Sequence, residues 1–377
     1  MKKILSTYIQ ELKGCVSDTG VLVFLVLVPL GYPLLYSYIY SQEVVRNIPV
    51  AVVDLSQSSL SREFLRKVDA TPDIAIAQNC TNIAAARRQM EEDRVKGIIY
   101  IPQKFAQNVE NGIESHISIY CSMASFFYYK AILSGCTEVS LAMNSVIQGK
   151  RIGGATNEEI RIFTAPLPNR AVGLSNPTTG FADFVIPAIL VLILQQIMLL
   201  GIGMRMGTLY SEGKNSTTGV IGKSAAYLTI TTPMAAYVLC VIPCIFGLSQ
   251  LADGATLALF MLPYMLACTF LAITAGCFIK SREVPMLLFV FTSIPLLFLS
   301  GISWPGSNIP LFWKIFSYVF PSTPAINGFV AINCMGATLD EVIFEYTILW
   351  IQVAVYSFLS YMATSGQNKI SSAPNIR

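Results

Sequence analysis

The chain has 377 residues, of which 54% are hydrophobic and only 12% charged. A soluble globular protein carries roughly a quarter of its residues as charges, so bulk water is not the main solvent here. The formal net charge of +3 gives no argument for nucleic acid as a partner.

From the N-terminus, Ile4, Leu5, Tyr8, Ile9, Leu12, Cys15 and Val16 recur at helical spacing opposite Lys2, Lys3, Gln10 and Lys13. This predicts an amphipathic helix over 1–18 lying in the inner membrane interface; a plain cytoplasmic extension of the first span is the alternative. A hydrocarbon core of about 30 Å needs about 20 helical residues to cross it. Six uncharged stretches are long enough: Thr19–Gln42, Phe184–Met204, Ser224–Ala252, Gly254–Ile279, Val284–Trp313 and Tyr346–Asn368. The first follows a basic start but has no small-residue cleavage pattern after its apolar run, so it reads as an uncleaved anchor rather than a signal peptide.

Between 43 and 180 charges are frequent, as expected of a water-exposed domain inserted after the first span. Ile48–Leu55, Asp73–Ala77, Val95–Ile101 and Ile117–Cys121 read as strands, alternating with helices near Ser58–Val68, Thr81–Asp93 and Pro102–Asn111, then a long helix over about Ala124–Gly149. The expected unit is a small α/β sandwich of about four strands. Asp54 with Ser56, Ser58 and Ser59 resembles a phosphate or metal loop, but the same residues at a strand end cap the next helix. Arg161–Pro177, rich in Pro and Asn, returns the chain to the membrane.

The region 181–368 is expected to hold five membrane helices. Gln195 and Gln196 lie inside the second span, where amides are costly unless they pair across helices; structural glue and contact with a transport pathway are both open for them. Prolines recur in the later spans, where neighbouring helices can satisfy the freed carbonyls. The run Ser300–Pro305, with Trp304, and the stretch from Pro310 and Trp313 to Pro324 are too broken to span, which predicts an external re-entrant or interfacial segment near 303–325. The two tryptophans suit headgroup level. Residues 369–377 form a tail.

Basic residues fall at Lys2, Lys3 and Lys13, at Arg205, Lys214 and Lys223, at Lys280 and Arg282, and at Lys369 and Arg377. A chain that starts inside puts all of these clusters in the cytoplasm, as the positive-inside rule requires. Both termini are then cytoplasmic and the α/β domain is outside. The nine cysteines show no paired CxxC spacing, and His116 is the sole histidine, so no metal site is expected. Cys80, Cys121 and Cys136 share the α/β domain, where one disulfide is an open option. Thr217–Ser224 ends in Gly-Lys-Ser but has Thr217 in place of the first glycine of a phosphate loop and lacks a preceding strand. It is not read as an ATP site.

The layout of one span, a large external domain and five further spans resembles the type-2 ABC exporter permeases. So do Pro49–Asp54 with Ser61–Phe64, Gly97–Pro102, Asn176–Phe181, Leu192–Gly203, Phe298–Pro305 and Pro321–Thr323. The resemblance implies a permease that binds no cofactor itself, with ATP and Mg held by a separate ABC ATP-binding subunit. It also implies a homodimer or a heterodimer with a related permease, in the inner membrane of a bacterium, with membrane lipids around it and a periplasmic adaptor as a further partner. In that family the loop after the second span couples to the ATPase. Here that loop is Arg205, Glu212, Gly213 and Lys214, while Gln195, Gln196, Pro295 and Ser300 become candidates for the pathway or dimer interface. The expected activity is export of a hydrophobic, amphipathic or lipid-linked compound. The alternative is a membrane-anchored sensor or envelope assembly factor, which five packed spans after the domain do not favour. A secondary transporter is disfavoured because no span carries an ionisable residue at its centre.

Overall fold

The computed structural model describes residues 2–40, 45–122, 126–152, 181–211, 219–304 and 306–371. Residues Met1–Glu43 with Val172–Arg377 form one unit and Val44–Ala171 another.

In the helical unit, α1 (Lys2–Ser17) precedes α2 (Thr19–Tyr40), which begins where Asp18 accepts the N–H groups of Gly20 and Val21. The other helices of this unit are α7 (Phe181–Ser211), α8 (Val220–Phe246), α9 (Gly254–Phe278), α10 (Val284–Leu299), α11 (Leu311–Ser317), α12 (Ser322–Met335) and α13 (Ile343–Ser371). Among the described residues, five helices are long and apolar enough to cross a membrane, and six are if the bent pair α11 and α12 counts as one. Residues 185–207 of α7 are buried on every face; an all-round apolar helix belongs at the centre of a bundle. Its glycines let neighbours close in, as small residues do in membrane bundles: a Cβ at Gly201 would lie 2.3 Å from Leu25 and one at Gly276 of α9 2.7 Å from Met206. Both α2 and α8 carry a π-turn, Val23–Leu27 and Tyr237–Val241, within a few residues of prolines that remove i→i−4 hydrogen bonds.

Several boundaries differ from the sequence reading. The third span begins at Val220 rather than Ser224 and stops at Phe246, because Gly247 adopts φ +67° and ends the helix. The stretch Val284–Trp313 is not one span. Its helix α10 has 16 residues, about 24 Å at 1.5 Å per residue, and Gly301 at φ +85° turns the chain away. The broken segment beyond it reaches further than 303–325: α11 and α12 meet at 85°, and α12 is largely buried, with Phe260 against Gly328. The second span runs on to Ser211, so Arg205 lies within a helix and not in a loop.

In the α/β unit, β1 (Ile48–Asp54), β2 (Ile74–Asn79), β3 (Gly97–Ile101) and β4 (Ser118–Cys121) form one sheet in the order β2-β1-β3-β4. β1 is parallel to both neighbours and β3 is antiparallel to β4. The helices are α3 (Ser59–Asp69), α4 (Ile83–Glu91), α5 (Phe105–Glu110) and α6 (Phe126–Ile152). Side chains alternate along β1: Val50 and Val52 pack with Phe64, Val68 and Ile132 of α3 and α6, while Ala51 and Val53 pack with Ala86 of α4. A central strand covered on both faces is apolar at successive positions for this reason. Asp54 accepts the N–H groups of Ser56 and Gln57 and the Ser61 hydroxyl, and Ser58 and Ser61 form a reciprocal capping box. That geometry is the helix cap. Cys80, Cys121 and Cys136 are free thiols, and the return segment Arg161–Pro177 lies outside the described residues.

Candidate functional site

One end of the bundle holds an ionic cluster built from four separate stretches of sequence. Glu11 of α1, only 4% exposed, accepts Nε of Arg205 at 3.2 Å and the hydroxyl of Tyr227 at 2.6 Å. Arg205 comes from the last turns of α7 and Tyr227 from the first turns of α8. Next to this, Asp18 accepts Nη2 of Arg282 at 2.5 Å and the Thr208 hydroxyl at 3.2 Å. Lys223, also buried, is within electrostatic range of Glu11 and Arg205. A buried charge is tolerated only when it is paired and hydrogen-bonded, and Glu11 is both.

Close backbone approach makes the cluster possible. The Arg205 guanidinium packs against Gly14, where an added Cβ would be 1.9 Å from Nη2, and Gly222 of α8 meets α1 so closely that a Cβ would be 2.8 Å from the Ile4 carbonyl oxygen. The helix over 2–17 is thus docked on the bundle along its Tyr8, Glu11 and Cys15 face, while Leu5, Ile9 and Val16 remain exposed. Burial is the main cause, and the Glu11 charge the second, that pushes the Cys15 thiol up to about 12.

The opposite end is tied by uncharged hydrogen bonds and one carboxylate. Asp183 accepts the Ser249 N–H at 3.2 Å, Asn333 donates to the Ser249 carbonyl, and the Asn333 carbonyl accepts the Leu251 N–H.

The two glutamines part company. Gln195, fully buried, accepts the backbone N–H of Ser322 at 2.7 Å, at the break between α11 and α12. From the other side of that break, the Tyr318 carbonyl accepts from Gln352 and the Val319 carbonyl from the Tyr356 hydroxyl. The chain ends left free by the bend are therefore satisfied by side chains, as irregular backbone inside a membrane requires. Among the described residues, Gln196 has no hydrogen-bond partner for either amide atom. It lines a groove of about 340 Å³ between α2, α7 and α10, with Val28, Tyr32, Tyr36, Phe289 and Ser293.

Of the other residues singled out from sequence, Ser300 is buried and bonds back to the Leu297 carbonyl, and Pro295 is exposed on α10; neither lines the groove. Trp304 and Trp313 are exposed, the latter edge-on to Phe312 and Phe316. Glu212, Gly213 and Lys214 lie outside the described residues. Lys223 and Ser224 sit inside α8, where the Ser224 hydroxyl bonds the Val220 carbonyl. Sequence reading missed Glu11, Asp18 and Tyr227. The signal for Glu11 was present: it falls between Tyr8 and Cys15 on the apolar face of α1.

A bundle of helices long and apolar enough to cross a membrane, with an α/β unit inserted after the first of them, is the architecture of a polytopic membrane protein. The family model for the ABC-2 family transporter protein matches residues 19–362, and the chain belongs to that family. It is a multi-pass ABC transporter permease. No curated protein and no solved structure matches the chain.

Proposed function

We propose that the chain is the permease half of an ATP-driven exporter in the inner membrane of a bacterium, with both termini in the cytoplasm. Its cargo is a hydrophobic, amphipathic or lipid-linked compound. Two copies, or this chain and a related permease, enclose the pathway, and a separate ATP-binding subunit holds ATP and Mg. The α/β unit then faces the outside, where it is available to a periplasmic adaptor.

The observation that carries this reading is the Glu11–Arg205 pair. The positive-inside rule assigns the basic clusters of α1, of the end of α7, of the start of α8 and of the turn before α10 to one side. Those same stretches meet through Glu11, Arg205, Tyr227, Asp18 and Arg282. An ATP-binding partner can act only on elements that reach its side of the membrane. A push on α1 or on the end of α7 passes through these contacts into α2, α8 and the lead-in to α10, which is what a rigid-body switch of the bundle needs.

The test is ATP hydrolysis and transport by the chain reconstituted in lipid with its candidate ATP-binding subunit, comparing wild type with Glu212→Ala plus Lys214→Ala. Hydrolysis that depends on the complex, with transport lost in the double variant, supports the reading. A chain that associates with no ATP-binding subunit sinks it.

A further inference from the structure

We propose that the open edge of β4 and the groove beside it form a docking site for an extended segment of another protein. The segment adds to the sheet as a further strand, carries apolar side chains at alternate positions and has a basic residue at one end.

The two edges of the sheet are finished differently. On β2, the Asp69 carboxylate accepts the Ile76 N–H at 2.8 Å, and a side chain that takes an outward main-chain group closes an edge to pairing. On β4 the outward groups are bare. The Ser122 N–H reaches the Lys96 carbonyl at 3.0 Å, and in an antiparallel pair the residues that exchange hydrogen bonds alternate along each strand. With Ile98 opposite Tyr120 and Tyr100 opposite Ser118, it is Ser118, Tyr120 and Ser122 that turn their main-chain groups toward β3. Those of Ile119 and Cys121 point away from the sheet, and β4 is its outermost strand. Among the described residues no hydrogen-bond partner meets them from outside. Donors and acceptors repeated at two-residue spacing are what another extended main chain satisfies.

A groove of about 640 Å³ lies against the same strand. Ile117 and Ile119 line it from one side, and Leu133, Thr137, Leu141, Asn144 and Gln148 of α6 line it from the other. The α6 stripe covers fifteen residues, about 22 Å at 1.5 Å per residue, which is room for about six residues of a strand at 3.3 Å each. A strand paired with β4 turns every second side chain to the Ile119 face, where the groove lies. The side chains between them turn to the face of Tyr120, which is 46% exposed. Leu133 and Leu141 are also exposed, so apolar side chains in the groove would cover apolar surface. Glu114 is the one acidic residue on the walls, and no Lys or Arg lines them, which selects a basic residue in the segment over an acidic one. A second copy is the poorer occupant. Its own β4 would bring an Ile117 and an Ile119 that already line a groove, leaving this one unfilled. A lipid or small amphiphile would fill the groove but leave the main chain of Ile119 and Cys121 unpaired.

That the partner is an envelope protein rests on the permease reading, which puts the α/β unit outside; the docking site itself does not. The experiment uses the full chain in lipid nanodiscs without an ATP-binding subunit, with empty nanodiscs as the control. It follows the fluorescence anisotropy of a labelled peptide that alternates valine and threonine and ends in lysine. Saturable binding to the chain is expected. Methylating the amide nitrogens of one alternate set of peptide residues should weaken binding about tenfold by removing main-chain hydrogen bonds, while methylating the other set should leave it unchanged. Cys121→Pro removes an outward N–H and no ladder bond, and Leu141→Arg narrows the groove from an exposed position; each should weaken binding. Where Cys121→Pro disturbs the fold, Leu141→Arg decides. No saturable binding, or binding indifferent to the variant that folds, overturns the site. Equal effects of the two methylated sets overturn strand addition and mark a groove for small amphiphiles. A glutamate-ended peptide binding as tightly as the lysine-ended one overturns the charge assignment. Self-association of the chain that the peptide cannot displace and Cys121→Pro abolishes marks the edge as a contact between copies and overturns the partner. Loss of peptide binding leaves the permease reading standing, and failure to associate with an ATPase leaves the docking site standing.

Discussion

The side-chain oxygen of Gln195 accepts the backbone N–H of Ser322 at 2.7 Å, whereas the amide of the adjacent Gln196 has no partner among the described residues. Two identical residues, neighbours in one helix, therefore have opposite roles. Gln195→Leu leaves the Ser322 N–H unsatisfied inside the bundle and should cost about 1–3 kcal/mol. Gln196→Leu removes two unpartnered polar atoms and should leave stability unchanged or slightly raised. Thermal unfolding of the two variants in detergent separates them; equal destabilisation would show that the break between α11 and α12 does not rely on Gln195.

The Glu11–Arg205 pair is buried on both sides, so removing one partner strands the other. Either Glu11→Gln or Arg205→Gln should destabilise the chain by about 3–5 kcal/mol. The double variant should cost clearly less than the two singles added, because neither charge is then left alone. Additive losses in unfolding experiments would mean that the two side chains do not depend on each other. Arg205→Lys should rescue little, since a single ammonium cannot reproduce a guanidinium that reaches Glu11 through Nε while packed against Gly14.

How far the sequence could be read depends on which force sets each feature. Apolar run length is local, so α2, α9 and α13 are visible in the sequence to within a few residues, and the β-branched runs between helical stretches show the strands. The broken helices were harder. Val284–Trp313 is apolar enough for one span, and only the φ +85° at Gly301 stops it; glycine permits that angle but does not demand it. Ser322–Met335 is helical because Gln195, Gln352 and Tyr356 satisfy its bend, and those partners lie up to 127 residues away in sequence. The same limit applies to the ionic end. Positive charges marked the side, but Glu11, Asp18 and Tyr227 acquire meaning only once α1 is docked.

Docking of α1 hinges on Gly222. A methyl group there would lie 2.8 Å from the Ile4 carbonyl oxygen and 3.3 Å from the Tyr8 N–H nitrogen. Both are backbone atoms that no rotamer change can move. Gly222→Ala should therefore lift α1 off α8 and stretch the Tyr8–Thr229 hydrogen bond and the Glu11 contacts. Cys15, 1% exposed in the docked helix, is the reporter. Its maleimide labelling at pH 8 should speed up by about tenfold or more, since each 1.4 kcal/mol lost from a local closing equilibrium opens it tenfold. Unchanged labelling would place the α1 contact elsewhere.

The same thiol gives docking a pH dependence. Burial, with the Glu11 charge second, pushes the Cys15 thiol from about 9 up to about 12, so the docked state favours the protonated form. The unfolded chain ionises Cys15 first as pH rises. Its contribution is fully present below pH 9 and is lost as pH climbs toward 12, because over that window the native state binds the extra proton. At pH 10.5 the loss should be about 2 kcal/mol, from one and a half pH units at 1.36 kcal/mol each. Tyrosines and lysines titrate in the same range, so the measurement is a difference of differences: the fall in melting temperature from pH 8 to pH 10.5 in wild type against that in Cys15→Ala. The wild type should fall further. Glu11→Gln, which removes the neighbouring negative charge and so lowers the thiol's pKa, should give an intermediate fall. Parallel losses in all three would show that Cys15 ionises as freely in the folded chain as in the unfolded one, and that α1 is not sealed against the bundle.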